Sequence, residues 1–411
     1  MYGKGALIFV VGFSMIISMY QVKLSKLTVL AADNFNVSYT KALAHEETMN
    51  AINIGISNLW ESEAELDSFY MITPTCSTYV KTSVIGSDSV QVKAVSTTRI
   101  GSGMLGDGSI LDSVTANFSF YTPVSEYLNI SNSIVDNNWG TGDTLYGSLH
   151  CNRVLIALGS PVFYGKVTAN WGIFPNPSGR FSNARFYGGW EIGIDIELPT
   201  DMSNLVNVAD AANGEAEMNT KSLYDIPAQF KFLPNGDVIR VINSVPDTVS
   251  LSSIAPTGVI HSTAEVSVQG ILNGNITIYS EDDIWIDDEL VYASDPRENT
   301  DSDDILGLIS DQNIILTDYY EGEENILLHG SLLAKGRFVV ELPPGNQDTY
   351  VFELVGSVAQ VANGPMGDFE QWLNQFRHSF AKKYYHDPRL YTITAPYFPS
   401  VRSLRLISWW E

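Results

Sequence analysis

The chain is poor in cysteine and in basic residues, and each shortage excludes a class of protein. Its 411 residues hold two cysteines, Cys76 and Cys151, with no CxxC pair. One disulfide between them is the most that the sequence allows, which excludes a disulfide scaffold and a zinc ribbon. The 23 Lys and Arg face 47 Asp and Glu, for a formal net charge of -24. Such a chain repels phosphate backbones, so we expect no nucleic-acid partner.

Motifs for common catalytic chemistry are also missing. No HExxH, GxSxG or P-loop pattern occurs, and the six histidines include no short ligand pair. The acid pairs Asp282-Asp283 and Asp287-Asp288 are adjacent residues, which point to opposite faces of a strand and cannot converge on one glycosidic bond without a bulge. We expect no enzymatic activity, and a β-helix polysaccharide enzyme is the minor alternative.

What the sequence does contain is enough apolar residues for a core and many turn residues. Hydrophobic residues make up 45% and aromatics 11%, while only 17% are charged. This composition excludes a disordered chain. Glycine, serine, threonine and asparagine are common, which favours a β-rich fold over a helix bundle.

The N-terminus carries an uncharged apolar segment, Ala6 to Tyr20, framed by Lys4 and Lys23. As a helix, the residues between the two lysines would span about 27 Å, enough for a bilayer core. A signal peptide, a plain membrane anchor and the start of a longer helix all remain open. The longer helix is favoured because neither Pro nor Gly occurs from Phe13 to Ile54, while apolar residues recur at helical intervals.

The apolar segment and the helix that follows it resemble the N-terminal segment of type IV pilins and pseudopilins. Lys4, Gly5 and Ala6 are similar to the basic-Gly site that prepilin peptidase cleaves. Val10 stands where the major-pilin pattern has Glu, as in certain minor pilins. The resemblance implies retention in the inner membrane and then helix-to-helix packing with copies of the chain or with other pilins. The side chains expected to pack in that assembly are Leu7, Ile8, Phe9, Val10, Val11, Phe13, Ile16 and Ile17.

The rest of the chain reads as short strands. Alternating residues from Ser77 to Ile85 and from Asp88 to Thr97 predict an antiparallel hairpin. Farther on, paired apolar bursts with a serine at the corner recur, as in Val259 to Val268, Ile276 to Ile286 and Leu306 to Leu316. Repeats of this kind favour a parallel β-solenoid (β-helix), with an antiparallel sandwich as the alternative.

The body also resembles an uncharacterised domain of bacterial surface proteins that often follows a pilin-like N-terminus and is thought to be a β-solenoid. The resemblance implies a cell-surface location and carries over no catalytic residue. The residues that carry it include Gly142-Asp143-Thr144-Leu145-Tyr146-Gly147, Gly159-Ser160-Pro161-Val162-Phe163-Tyr164-Gly165, Gly188-Gly189-Trp190-Glu191 and Tyr385-His386-Asp387-Pro388-Arg389-Leu390.

Acidic residues are concentrated between Glu281 and Glu324, where 16 Asp and Glu accompany a single base, Arg297. Calcium prefers hard oxygen ligands on a flexible loop, although the spacing here is not that of an EF-hand. A solvated acidic loop and a calcium site therefore both remain open. The candidate ligands are Asp295, Glu298, Asp301, Asp303 and Asp304.

Together these features predict a mainly β protein with one long N-terminal α-helix, a small antiparallel β region and a parallel β-solenoid head. We expect a pilin-like helix over 1–61, the antiparallel region over 62–140, the solenoid over 141–362 and an aromatic, basic C-terminal cap over 363–411. The expected function is that of a structural subunit of an extracellular, pilus-like filament. The alternative is a membrane-anchored adhesin or glycan-binding surface protein that does not polymerise, with Trp171 and Trp190 as candidate glycan contacts.

Overall fold

The computed structural model is mainly β, with one long N-terminal helix and both antiparallel and parallel sheets. It describes residues 3–61, 68–85, 89–100, 108–132, 138–317, 325–341, 349–364, 367–370 and 375–411. The chain divides into two compact units. Unit 1 comprises Met1–Tyr121 and Ser403–Glu411, and unit 2 comprises Thr122–Arg402.

Unit 1 pairs the long helix with an antiparallel sheet. Its elements in chain order are α1 (Gly3–Glu61), β1 (Ser68–Ile72), β2 (Cys76–Val84), β3 (Ser89–Ile100) and β4 (Gly108–Pro123). Each strand pairs antiparallel with the next, with Val80 opposite Ala94 and Val92 opposite Ala116. The predicted hairpin is therefore confirmed as β2 and β3, although its tip at 86–88 lies outside the described residues.

Unit 2 contains many short strands and two short helices. The strands of its first half are β5 (Asn129–Ser131), β6 (Asn138–Trp139), β7 (Thr144–Tyr146), β8 (Leu149–Cys151), β9 (Val154–Ala157), β10 (Val162–Phe163), β11 (Val167–Ala169), β12 (Gly172–Phe174), β13 (Arg185–Phe186) and β14 (Trp190–Ile192). Helix α2 (Ser203–Asn213) then leads to β15 (Leu223–Tyr224), β16 (Ala228–Phe232), β17 (Asp237–Ile242), β18 (Val245–Ser250) and helix α3 (Leu251–Ile254).

From Val259 onward the strands are longer, and the last of them runs from unit 2 into unit 1. They are β19 (Val259–Ser262), β20 (Val266–Leu272), β21 (Asn275–Ser280), β22 (Ile284–Tyr292), β23 (Ile305–Ser310), β24 (Ile314–Leu316), β25 (Asn325–Val340), β26 (Thr349–Asn363), β27 (Gly367–Glu370), β28 (Gln375–Tyr385) and β29 (Ser400–Trp410). Strand β29 hydrogen-bonds to β4 at the edge of the antiparallel sheet.

Parallel ladders join most strands of unit 2. One ladder runs β15, β19, β21, β23, β25, β26, β5, β8, β11 and β14. A second runs β16, β20 and β22, with β22 paired to β24 and β25. A third joins β6, β9 and β12. Most of these ladders connect strands that lie one repeat apart in the sequence, as the spacing of the apolar bursts predicts.

Residues of similar type on successive strands lie in register and form columns across the ladders. Ile260, Ile278, Leu308 and Leu332 are in register and fully buried. Burial of each such side chain contributes about 1.5–3 kcal/mol, so the column forms a continuous core. The predicted serine corner is also present as the buried column Ser262, Ser280 and Ser310. Each serine hydroxyl accepts a hydrogen bond from the backbone N–H two residues later, which turns the chain.

The C-terminal region differs from the predicted cap over 363–411. Strand β28 pairs in parallel with β26 on one side and with β7 on the other, so it lies inside the sheet. Its Phe380 and Tyr384 are buried. The reason is that β5 to β14 continue the stack beyond β26 and β28, although they come much earlier in the sequence.

Candidate functional site

The first half of α1 exposes large apolar side chains around its whole circumference. The eight residues predicted to pack in an assembly are between 45% and 76% exposed. They are Leu7, Ile8, Phe9, Val10, Val11, Phe13, Ile16 and Ile17. Exposed apolar residues continue through Leu24, Leu27 and Leu30. Since five consecutive residues cover more than one helical turn, the apolar surface is a full cylinder rather than a stripe.

The second half of α1 is packed in unit 1. Ala51 and Ile52 are fully buried in one core cluster with Val80 and Val92 of the sheet. Gly55 lets the helix approach closely, because a Cβ there would lie 2.9 Å from Val80 Cγ1 and 3.0 Å from Val92 Cγ1. The sheet therefore fixes the second half of the helix, and the described residues of unit 1 leave the first half uncovered.

By length and composition, α1 is able to cross a membrane, and none of its most apolar 18-residue stretch is buried. No Asp, Glu, Lys or Arg occurs from Gly5 to Val22. Lipid tails or the apolar faces of other helices are the surroundings in which such a helix is stable. The predicted processing residues Lys4, Gly5 and Ala6 belong to the helical backbone of α1, and their side chains lie outside the described part of the chain.

No family model and no curated protein matches the chain. Among solved structures, the competence-associated pilin ComZ from Thermus thermophilus is similar over 84% of this chain and 86% of its own, at 10% identity and a TM-score of 0.30. A likeness this weak carries no argument about function. The two family resemblances therefore remain predictions that rest on the sequence.

The acidic segment is held by arginines. Asp295 accepts from Arg297 at 2.6 Å, and this hydrogen-bonded ion pair holds the pKa of the Asp295 carboxyl below its usual range. Arg389 is buried beside Asp387 and donates to the backbone carbonyls of Ser302 and Asp304 at 2.8 and 2.9 Å. The loop is thus tied by hydrogen bonds to two arginine side chains.

The five candidate calcium ligands are used in different ways. Asp304 is buried and accepts from the backbone N–H groups of Gly274 and Ser294 and from the Ser302 hydroxyl. Glu298, Asp301 and Asp303 are exposed. In the described residues, no group of three or more His, Cys, Asp or Glu has the arrangement to hold a metal, so these five carboxylates are not brought together as one.

The two cysteines are buried, and the disulfide that the sequence allows is not formed in the structure. Cys76 belongs to unit 1, where its Sγ lies 3.6 Å from the Thr78 hydroxyl. Cys151 belongs to unit 2, in the register column that also contains Ser131 and Ala169. Each cysteine acts as a small core residue.

A stack of tyrosines on unit 2 was not predicted. Tyr385, Tyr146, Tyr164 and Tyr187 follow one another with ring centroids 4.6, 4.7 and 5.2 Å apart. A signal was present in the sequence, because each tyrosine follows a large hydrophobic residue that is buried or packs against the core, as in Leu145-Tyr146. The faces of the inner rings cover one another, so only ring edges remain open to a ligand. Trp171 has Arg153 above its ring at 4.2 Å.

Proposed function

We propose that the chain is a structural subunit of an extracellular, pilus-like filament. It is retained in the membrane through the first half of α1 and then assembles by packing these helices with copies of itself or with other pilins. Unit 2 is displayed on the surface as a β-solenoid head. The role needs no catalytic residue, and we propose that the protein is not an enzyme.

The observation that carries the proposal is the contrast within α1. One unbroken helix of 59 residues has a second half buried against a sheet and a first half that is apolar and exposed on every side. Burial of each large apolar side chain contributes about 1.5–3 kcal/mol, so the eight exposed residues from Leu7 to Ile17 strongly favour lipid or other helices over water. In a soluble monomer all of these apolar side chains would remain in water, which is unfavourable.

The parallel ladders support the solenoid head. Successive strands pair in parallel one repeat apart, and they stack buried aliphatic residues and buried serines in register. In a solenoid, each repeat buries its apolar face against the next. Such a stack forms a rigid body, which suits a domain displayed outside the cell.

Two isoleucines of α1 provide a matched test, because both are similarly exposed, Ile17 at 45% and Ile54 at 43%. We expect Ile17→Lys to lower membrane retention and filament yield by up to about 100-fold, since a charge at the centre of a membrane helix costs about 3 kcal/mol and Ile17 lies four residues from the centre of the apolar segment. Ile54→Lys leaves both unchanged, because that position faces water in the proposed subunit.

The readouts are the membrane fraction of cells that express the full chain and the filaments sheared from their surface. Normal retention and normal filaments with Ile17→Lys would overturn the proposal. Normal retention of the unmodified chain with no filament under any condition would favour the alternative of an anchored surface protein that does not polymerise.

A further inference from the structure

A groove on the outer face of unit 2 lies over three neighbouring parallel strands. Its floor contains Gln229 of β16, Ser267 of β20 and Trp285 of β22, which are directly in register. The residues next to them in each strand, such as Val266 and Ile284, are buried in the core. Alternation along the strand therefore sends this column of polar and aromatic side chains outward.

A β-hairpin forms one wall of the groove. Strands β17 and β18 pair antiparallel and are joined by Asn243 and Ser244, whose φ angles of 50° and 65° form a tight hairpin turn. These two turn residues and Pro246 line the groove together with the floor. The groove is open to solvent on one side and has a volume of about 840 Å³, within the range of sites that bind small ligands.

The charge of the groove limits what it can bind. Glu265 and Asp287 line it, and among the described residues that line it none is Lys or Arg. Asp287 accepts a hydrogen bond from the Ser267 hydroxyl, so the carboxylate is held in place on the floor. Two carboxylates without a cation repel phosphate, sulfate and uronic acids. A ligand for this site is neutral or carries an amine.

Trp285 adds an apolar surface to the polar floor. It is half-buried and lines the groove, and no ring of a described residue stacks on it. The inner tyrosines of the stack described above instead cover one another's faces. An indole flanked by amide, hydroxyl and carboxylate groups matches a ligand with one apolar face and many hydroxyl groups at its edge.

We propose that this groove binds a saccharide composed of neutral or amino sugars. Trp285 packs against the C–H face of a sugar ring, while Gln229, Asn243 and Asp287 form hydrogen bonds with its hydroxyl or amino groups. The proposal does not depend on filament formation, because the groove is built from unit 2 alone. It differs from the glycan contacts expected at Trp171 and Trp190.

The test uses the full chain in detergent on an array of neutral, amino-bearing and acidic oligosaccharides. We expect binding to neutral or amino sugars, and none to sulfated or uronic-acid glycans. Trp285→Ala weakens binding at least about tenfold, whereas Trp171→Ala, an equally large truncation of an exposed tryptophan, changes it by less than about twofold. Gln229→Ala, on an exposed side chain, weakens binding without disturbing the core.

Each outcome decides the proposal. An array on which no sugar binds overturns it, and so does a preference for acidic glycans or full binding by both Trp285→Ala and Gln229→Ala. If Trp285→Ala does not fold, the Gln229→Ala result stands alone: weaker binding supports the groove, and unchanged binding overturns it. Loss of binding in Trp171→Ala alone would place the saccharide site elsewhere on unit 2.

Discussion

The first half of α1 and the parallel stack of unit 2 are both rich in large apolar residues, but these residues are exposed in the helix and buried in the stack. In unit 2, columns such as Ile278 and Leu308 are fully buried within the chain itself. In α1, Phe9 and its neighbours are exposed on every side. The apolar residues of the stack are therefore stabilised within the chain, whereas the first half of α1 needs a surface that the described part of the chain does not supply. Variants that separate these two roles test the comparison.

The largest effect is expected from a matched pair of phenylalanines. Phe338 is fully buried and lies 5.7 Å from the ring of Phe352, while Phe9 is 76% exposed and stacks on Phe13. We expect Phe338→Ala to lower the free energy of unfolding of unit 2 by about 3–5 kcal/mol, because it leaves a cavity. Phe9→Ala changes it by less than about 0.5 kcal/mol.

Urea unfolding of the full chain in detergent, followed by tryptophan fluorescence, measures both values. Equal losses for the two variants would mean that the first half of α1 contributes to the core of the folded chain. The comparison would then be wrong.

Acid should lower the free energy of unfolding of unit 2 without releasing the helix from the membrane. His329 is buried, and this burial lowers its pKa to about 4, although Asp295 opposes the shift. Its Nδ1 accepts a hydrogen bond from the backbone N–H of Tyr292. Protonation of Nδ1, which would charge the ring, therefore breaks this hydrogen bond. Because the folded-state pKa lies below the unfolded value of about 6.5, stability is complete above pH 6.5 and falls between pH 6.5 and 4, by about 3 kcal/mol in total.

The measurement is the free energy of unfolding against pH for the unmodified chain and for His329→Gln. The variant should show a shallower decline over this window. Identical pH profiles would show that His329 titrates normally in the folded protein. Membrane retention of both proteins should stay constant from pH 7 to pH 5, since the apolar segment contains no Asp, Glu, His, Lys or Arg.

The smallest effect comes from two glycines of α1. At Gly12 an added Cβ has nothing within 4 Å, whereas at Gly55 it meets two valine methyl groups at 2.9 and 3.0 Å. We expect Gly55→Ala to destabilise unit 1 by about 1–3 kcal/mol through overpacking. Gly12→Ala should instead stabilise the helix by about 0.5–1 kcal/mol. Hydrogen exchange of the β2 and β3 amides reports the first effect, and a null result at Gly55 would show that the helix sits less tightly on the sheet.

Local patterns predicted much of this fold. The uninterrupted stretch from Phe13 to Ile54 indicated the helix, and alternation indicated β2 and β3. The serines at 262, 280 and 310 marked corners that the structure forms. In each case the deciding interaction is short in sequence or repeats with a short period.

The same local patterns could not predict which strands pair when they are far apart in the sequence. Val358 of β26 pairs with Asn129 of β5, and nothing in either segment indicates its distant partner. The acidic segment shows the same limit. Its loop is held by Arg389, which lies more than 80 residues away, and charge density alone does not reveal such a contact. The Trp285 groove likewise depends on which strands become neighbours.

Cryo-electron microscopy of filaments sheared from cells that express the chain can show directly whether the first half of α1 joins the subunits. We expect a helical fibre whose centre is a bundle of α1 first halves, with Phe9, Phe13 and Ile17 buried between neighbouring subunits and unit 2 outside. A fibre held together through unit 2, with these three side chains still in water, would contradict it.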